Sequence, residues 1–423
     1  MRGINRWTAA GRCANVIRPS SDLMDDYRES RMETINTNNG GQVRSWAPQV
    51  ESSTIEQALR TARSDAVSGP IALMPDAHWG LGATIGSVIP TESAIIPAAV
   101  GVDIGCGMVA VETDLDASDL PDDLTGVLHG IAGAVPAGFG RHQQPKAEAE
   151  AWLRRNPLQT DVNLASKQER SVAQQLGTLG GGNHFVEVCI DERDVVWVVL
   201  HSGSRGIGNI LARSHIQDAK KLCKDLDRAI EDRDLAYFLV DDPEFQAYVA
   251  DMLWSQNYAL YNRELMMDAV VGVLTDLLHR EIGQLARINC HHNYTERENH
   301  DGRELWITRK GAIRARQGDR GVIPGSMGTG TFVVSGLGEP QSYNSASHGA
   351  GRAMGRKEAR RRLSVKEFNR SMKGRTWQHT KAMELLDEAP MAYKDITKVM
   401  ANQADLVRID HRLEAVVNYK GTT

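Results

Sequence analysis

Residues 97–113 read "PAAVGVDIGCGMVAVET": an apolar run, a loop holding Asp103 and Cys106 among glycines, then an apolar, valine-bearing stretch with the texture of a strand. The glycines permit backbone turns that other residues resist. An aspartate and a cysteine three positions apart in such a loop have no packing reason to meet. A metal ion supplies one.

Working outward, three textures alternate. Residues 69–115 are strand and glycine loop, and 176–208 repeat that texture, with "HFVEVCI" and "VVWVVL" as buried strands that end in polar loops. Residues 209–286 carry helical apolar spacing, strands return over 288–338, and the chain from 351 reads as mainly helical. No repeat or low-complexity linker divides these segments. The expectation is an α+β fold: one large domain over 32–423, a mixed β core around a deep metal-lined cleft, and a helical excursion at about 209–286.

Of the 423 residues, 41% are apolar and 24% charged, as in a globular protein with a buried core. The formal net charge of -5 means that a nucleic acid would need a local basic surface. Five scattered cysteines (Cys13, Cys106, Cys189, Cys223 and Cys290) show no disulfide framework, which points to a reducing cytoplasm. No apolar run approaches the ~20 residues of a membrane-spanning helix. The N-terminal 31 residues are polar, without the apolar core of a signal peptide. Arg2, Arg6, Arg12 and Arg18 suit a mitochondrial presequence less well than a disordered tail, or an upstream start with the functional chain beginning near Met32.

Five stretches, "DIGCG", "GGGNHFVEV", "LHSGSRG", "NCHHNY" and "SASHGAGR", place polar residues at strand ends or glycine loops. Asp103, Cys106, His184, His201 and His292 together offer a carboxylate, a thiolate and three imidazoles, a set that suits Mn²⁺, Zn²⁺ or Fe²⁺ rather than Mg²⁺ or Ca²⁺. One thiolate among five ligands can bridge two ions, the usual clamp for displacement at phosphorus. Each residue alone has a plainer reading: His201 as a hydrogen-bonded core histidine, Cys106 as a small hydrophobe. Packing does not readily explain all five together. His291 and His292 face opposite ways if extended, so only one can enter a common site. Asp76 and His78 in "MPDAHWG" read either as support for the ligands or as a capped turn.

Other features suit phosphate chemistry. Arg205 lies in a glycine-rich loop, "PGSMGTGTFVV" at 324–334 is a second such loop, and Arg309 and Lys310 add cations unless they are exposed hairpin charges. His348 sits among small residues, open to a bulky electrophile, with Arg352 at an expected helix start. From Arg352 to Arg375 there are ten Lys or Arg against Glu358 and Glu367: a solvated helix face, or a track for a polyanion.

At these residues the chain resembles the RtcB family of GTP-dependent RNA ligases, from about Met32 to Gly421. "MPDAHWGLGATIGSVIP", "PAAVGVDIGCGM", "GNHFVEV", "LHSGSRGIGN", "NCHHNY", "TRKGA", "IPGSMG", "SHGAGR", "PMAYKDI" and "YKG" occur in the family's order. The resemblance implies joining of an RNA 2′,3′-cyclic phosphate or 3′-phosphate end to a 5′-hydroxyl end, with GTP and two Mn²⁺ ions. His348 would be guanylylated, and the GMP passed to the RNA 3′-phosphate. One manganese would be held by Cys106, His201 and His292, the other by Asp103, Cys106 and His184. Arg205 and Arg352 would act in catalysis, with Asn183 and Arg205 touching phosphate. Glu187, Ser326, Gly349, Ala350, Gly351, Tyr393 and Lys420 would bind the nucleotide. A monomer acting on RNA in tRNA splicing or RNA repair, without a membrane, is expected. Thr422 and Thr423 follow the usual Lys-Gly end and would crowd the guanine pocket mildly. The rival readings are a two-metal phosphoesterase or nuclease, and an RNA-binding protein of this fold without ligation.

Overall fold

The computed structural model describes residues 32–422 apart from 38, 39 and 49; the expectations about residues 1–31 and Thr423 lie outside it. The fold is mixed α+β in one large domain. Its centre is an eight-stranded sheet with a seven-strand path Gln284–His291, Gly107–Asp116, Val195–Ser202, Phe185–Ile190, Val407–Lys420, Thr331–Gly336 and Arg320–Pro324; the short strand Thr376–Trp377 pairs with Val407–Lys420. The sheet curls until its end strands meet, with the Cys290 thiol at the backbone amide of Val322. The four cysteines among the described residues are free thiols.

Period-two alternation sorts this sheet's two faces. On Val195–Ser202, Val196, Val198 and Leu200 pack outward against Met266, Val270 and Leu274 of the 36-residue helix Pro243–Leu278. Trp197 and Val199 pack inward with Met108, Ile288, Val322 and Leu413. Both faces are covered, so "VVWVVL" is apolar throughout. The inward parity continues along the strands to His201, to Glu187 between Phe185 and Cys189, and to His292 beyond Ile288 and Cys290. A bulge between Ala415 and Val417 turns Asn418 and Lys420 inward as well. One open end of the curled sheet therefore collects polar residues from four strands.

A second, six-stranded sheet runs Glu33–Asn36, Gln42–Ser45, Ile71–His78, Ile85–Thr91, Arg303–Lys310 and Asn293–His300. The chain passes from one sheet to the other at a single residue, His292, between Gln284–His291 and Asn293–His300.

The helical excursion lies where it was expected, and one other expectation needs correction. The helical excursion is two helices, Arg205–Asp225 and Pro243–Leu278, separated by a 3₁₀ turn and the short strand Phe238–Leu239, and strand resumes at Gln284. The region beyond 351 is not mainly helical. It holds the short helices Arg356–Arg362, Val365–Ser371 and Ile396–Ala401, then the 14-residue strand Val407–Lys420 near the middle of the main sheet. Val407, Ile409, Leu413 and Ala415 alternate with polar residues, a strand signature that the preceding basic run obscured. Among the described residues, no helix is long and apolar enough to cross a membrane.

Candidate active site

The loop at 101–106 is held from both sides. At Gly105, with φ 73°, an added Cβ would lie 2.8 Å from the Gln256 Cα and the Ala259 Cβ of the long helix. Gly203 lets the Asp103 carboxylate approach the backbone where a side chain would collide with it. Behind the loop, the His292 amide donates to the Cys106 carbonyl at 2.8 Å, which ties the inter-sheet crossing to the cysteine.

Cys106 Sγ lies 3.4 Å from His184 Nε2 and 3.2 Å from His201 Nε2. His184 Nε2 is 3.0 Å from Asp103 Oδ2, and His201 Nε2 is 2.8 Å from His292 Nε2. Carbonyl oxygens fix two of the rings: His184 Nδ1 donates to Leu179 O at 2.9 Å and His201 Nδ1 to Asn183 O at 3.2 Å. Their Nε2 lone pairs thereby face the thiol and the carboxylate. Burial, reinforced by the neighbouring rings, pushes the pKa of His201 and His292 well below the ordinary histidine value, so both rings are neutral and keep a lone pair. Burial, and then Asp103, raises the Cys106 thiol. Imidazole lone pairs, a thiol and a carboxylate converge here. This donor set fits a borderline transition metal. His291 stays out, with its Nδ1 2.8 Å from Gly105 O.

His348 follows the short strand Ser345–Ser347, and its ring centroid is 4.8 Å from that of His292. Its Nδ1 lies 2.6 Å from Asp76 Oδ2, close enough for a charge contact though out of hydrogen-bond alignment, which leaves Nε2 as the ring nitrogen not faced by Asp76. Asp76 is fully buried inside the strand Ile71–His78. It therefore neither caps a turn nor supports a ligand of the cluster. Burial opposes its ionisation, but His348 outweighs that and lowers its pKa.

Beside the cluster opens a cavity of about 570 Å³. Asp103, His201, His292, His348, Arg352, Asn183, Glu187, Ser326, Gly349, Ala350, Gly351, Tyr393 and Lys420 line it; Cys106, His184 and Arg205 do not. Arg205, at φ 59°, instead donates to Thr178 Oγ1 at 3.0 Å and to Gly138 O at 3.1 Å. Arg352 does not start a helix; it lies in a bridge to Tyr393, four residues before Arg356–Arg362. Thr422 is within 3.4 Å of Lys381 Nζ and packs at Gly138, and it is not among the residues lining the cavity.

Sequence reasoning missed Glu388, almost wholly buried in the cavity wall. It accepts from Lys420 Nζ at 2.7 Å and from the Tyr393 hydroxyl at 2.6 Å. Burial opposes its ionisation, yet Lys420 and Arg356 hold it at about 2. Its signal was the acidic pair in "DEAP", next to "MAYKDI" in a basic region. Asn418, two residues before Lys420 and donating to Glu187 Oε1, was missed too, although strand parity marks it. Arg309 and Lys310 are not exposed hairpin charges. Arg309 is buried against Glu298, and Lys310 donates to the Leu81 and Ala98 carbonyls, with burial lowering its pKa to about 7.

The model of the tRNA-splicing ligase RtcB family matches residues 57–421 of this chain. The chain belongs to the RtcB family. It is 44% identical over 393 residues to the RNA-splicing ligase RtcB of Escherichia coli K12, covering 88% of this chain and 95% of that one. It is 30% identical over 423 residues to RNA-splicing ligase RtcB of Mycobacterium tuberculosis H37Rv, covering 82% and 96%. To the tRNA-splicing ligase RtcB of Nanoarchaeum equitans it is 29% identical, covering 86% and 88%.

Proposed function

We propose that this RtcB protein is an RNA ligase that consumes GTP and seals an RNA 3′-phosphate, or a 2′,3′-cyclic phosphate after opening, to a 5′-hydroxyl. The observation that carries the reading is His348: Asp76 faces its Nδ1, and its ring stacks obliquely beside the metal-type cluster at the cavity floor.

Asp103, Cys106, His184, His201 and His292 would hold two Mn²⁺ ions, with Cys106 shared. Bound there, the ions supply positive charge for phosphate oxygens. The rest is done by the chain. Nε2 of His348 attacks the GTP α-phosphorus, a P–N bond forms, and pyrophosphate leaves. An oxygen of the RNA 3′-phosphate then attacks the same phosphorus, the P–N bond breaks, and RNA 3′-ppG forms. The 5′-hydroxyl oxygen attacks the RNA 3′ phosphorus, GMP leaves, and a phosphodiester remains. Glu187 would accept from guanine N1 and N2, which adenine does not offer, and Lys420 and Tyr393 would line the same pocket. Arg352 would face phosphate at the cavity wall. Arg205 would have to leave its present carbonyl partner to do so.

The test is incubation with α-labelled GTP and Mn²⁺. Acid-labile, alkali-stable label on His348 supports the reading. Bound metal without label would favour a two-metal phosphoesterase.

A further inference from the structure

Asp387 and Glu388 lie together in the 3₁₀ turn Leu386–Glu388, with their side chains almost wholly buried. Asp387 Oδ2 accepts from Arg356 Nη1 at 2.7 Å, its Oδ1 pairs with Arg360 Nη2 at 2.8 Å, and its carbonyl accepts from Arg352 Nη2 at 2.8 Å. Arg356 also reaches Glu388. Three guanidiniums of the ten-cation run are thus gathered on one acidic dipeptide. Arg352 and Arg356 line the cavity, and helix Arg356–Arg362 leads away from it. The Arg356 and Arg360 side chains keep 43% and 49% of their surface exposed, so each offers donors to solvent while one edge is held.

Resting on the ligase reading, we propose that Asp387 is a positioning residue that presets Arg356 and Arg360 as a cradle for backbone phosphates of the RNA strand that enters the cavity. Arginine forks bind phosphate through paired N–H donors of fixed geometry, and a long side chain loses rotamer freedom when it is clamped. Asp387 imposes that clamping before RNA arrives. A rival view gives Asp387 the opposite effect. As an anion beside a polyanion's track it would compete with phosphate, and removing its charge would tighten RNA binding.

The sign of one substitution separates the two. With the full chain, GTP and Mn²⁺, ligation of a 3′-phosphate RNA oligonucleotide to a 5′-hydroxyl partner is measured against RNA concentration. For Asp387→Asn the expected result is an RNA KM raised about 5-fold, the effect of one loosened phosphate contact, with kcat at saturating RNA within about 2-fold. Arg360→Gln should raise KM similarly, and the double variant should be little worse than either single one. An unchanged or lower KM for Asp387→Asn, or fully additive effects, would overturn the proposal. If Asp387→Asn melts below the assay temperature, Arg356→Gln and Arg360→Gln decide: an RNA KM unaffected in both rejects the cradle. Labelling of the wild-type chain by GTP is scored separately. Its absence sinks the ligase reading itself, whereas labelling with the wrong sign for Asp387→Asn sinks only the cradle.

Discussion

Asp76 Oδ2 approaches His348 Nδ1 at 2.6 Å from a strand of the second sheet, while His348 itself follows a strand paired to Ala312–Arg314. Two separate layers thus meet at one imidazole. On the proposed mechanism, a buried carboxylate there would hold the ring's orientation and stabilise the positive charge that develops as Nε2 bonds to phosphorus. Asp76→Asn keeps the shape and removes the charge. The GMP-labelling rate should fall by about 10²-fold or more while the bound manganese, counted by metal analysis, stays at the wild-type level.

Cys106 and His348 should separate the two halves of the chemistry. Cys106 Sγ is within 3.4 Å of two imidazole nitrogens, so Cys106→Ala removes a donor that His184 and His201 both face. It should lose both metal and label. His348→Ala should lose the label alone. Two equivalents of manganese retained by the Cys106 variant would reject the bridging role.

Arg309 tests what holds the histidine loop in place. Its guanidinium, fully buried, pairs with Glu298 and donates to Ser345 Oγ at 2.8 Å and to the Tyr343 carbonyl at 2.9 Å, three to five residues before His348. Arg309→Ala strands the buried Glu298 with Arg316 and His300 as remaining partners, at a cost of about 3 kcal/mol in a denaturant melt. Burial opposes ionisation of Glu298, but His300 and Arg309 outweigh it and hold its pKa far below the ordinary carboxylate value. The wild-type advantage should therefore be fully present above the ordinary glutamate value and fade progressively as pH falls from there towards the depressed native value.

The convergence of Cys106 with the histidines was legible because these residues interrupt apolar strands at regular parity. His201 ends "VVWVVL", and only one histidine of the "HH" pair could share its face. The strand Val407–Lys420 was equally legible in its alternation, but the charge run before it drew attention to helices. Asp387 and Glu388 were hidden for another reason. An acidic dipeptide reads as surface until the fold shows which cations it gathers, and those come from 31 and 32 residues away as well as from the C-terminus. Arg309 and Lys310 were ambiguous because one strand's charge pattern does not reveal that a second layer covers it.

Glu187 should make GTP binding depend on pH. Burial pushes its carboxyl up to about 7, against the pull of Lys420 and the Asn418 amide. The carboxylate that the proposed guanine contact would need is therefore partly protonated at neutral pH in the free protein. GTP affinity should climb from pH 6 to 8 and level off above, as read by titration calorimetry. Folding has the opposite sign: a carboxyl whose pKa is raised in the native state stabilises the fold at low pH, and that contribution fades as pH rises from the ordinary glutamate value through about 7. Glu187→Gln, uncharged at every pH, should gain up to a few kcal/mol over wild type at pH 8 and little at pH 4. It should also bind GTP weakly and without the climb. A variant that binds GTP as tightly as wild type at pH 8 would remove Glu187 from the guanine pocket, whatever its melting temperature.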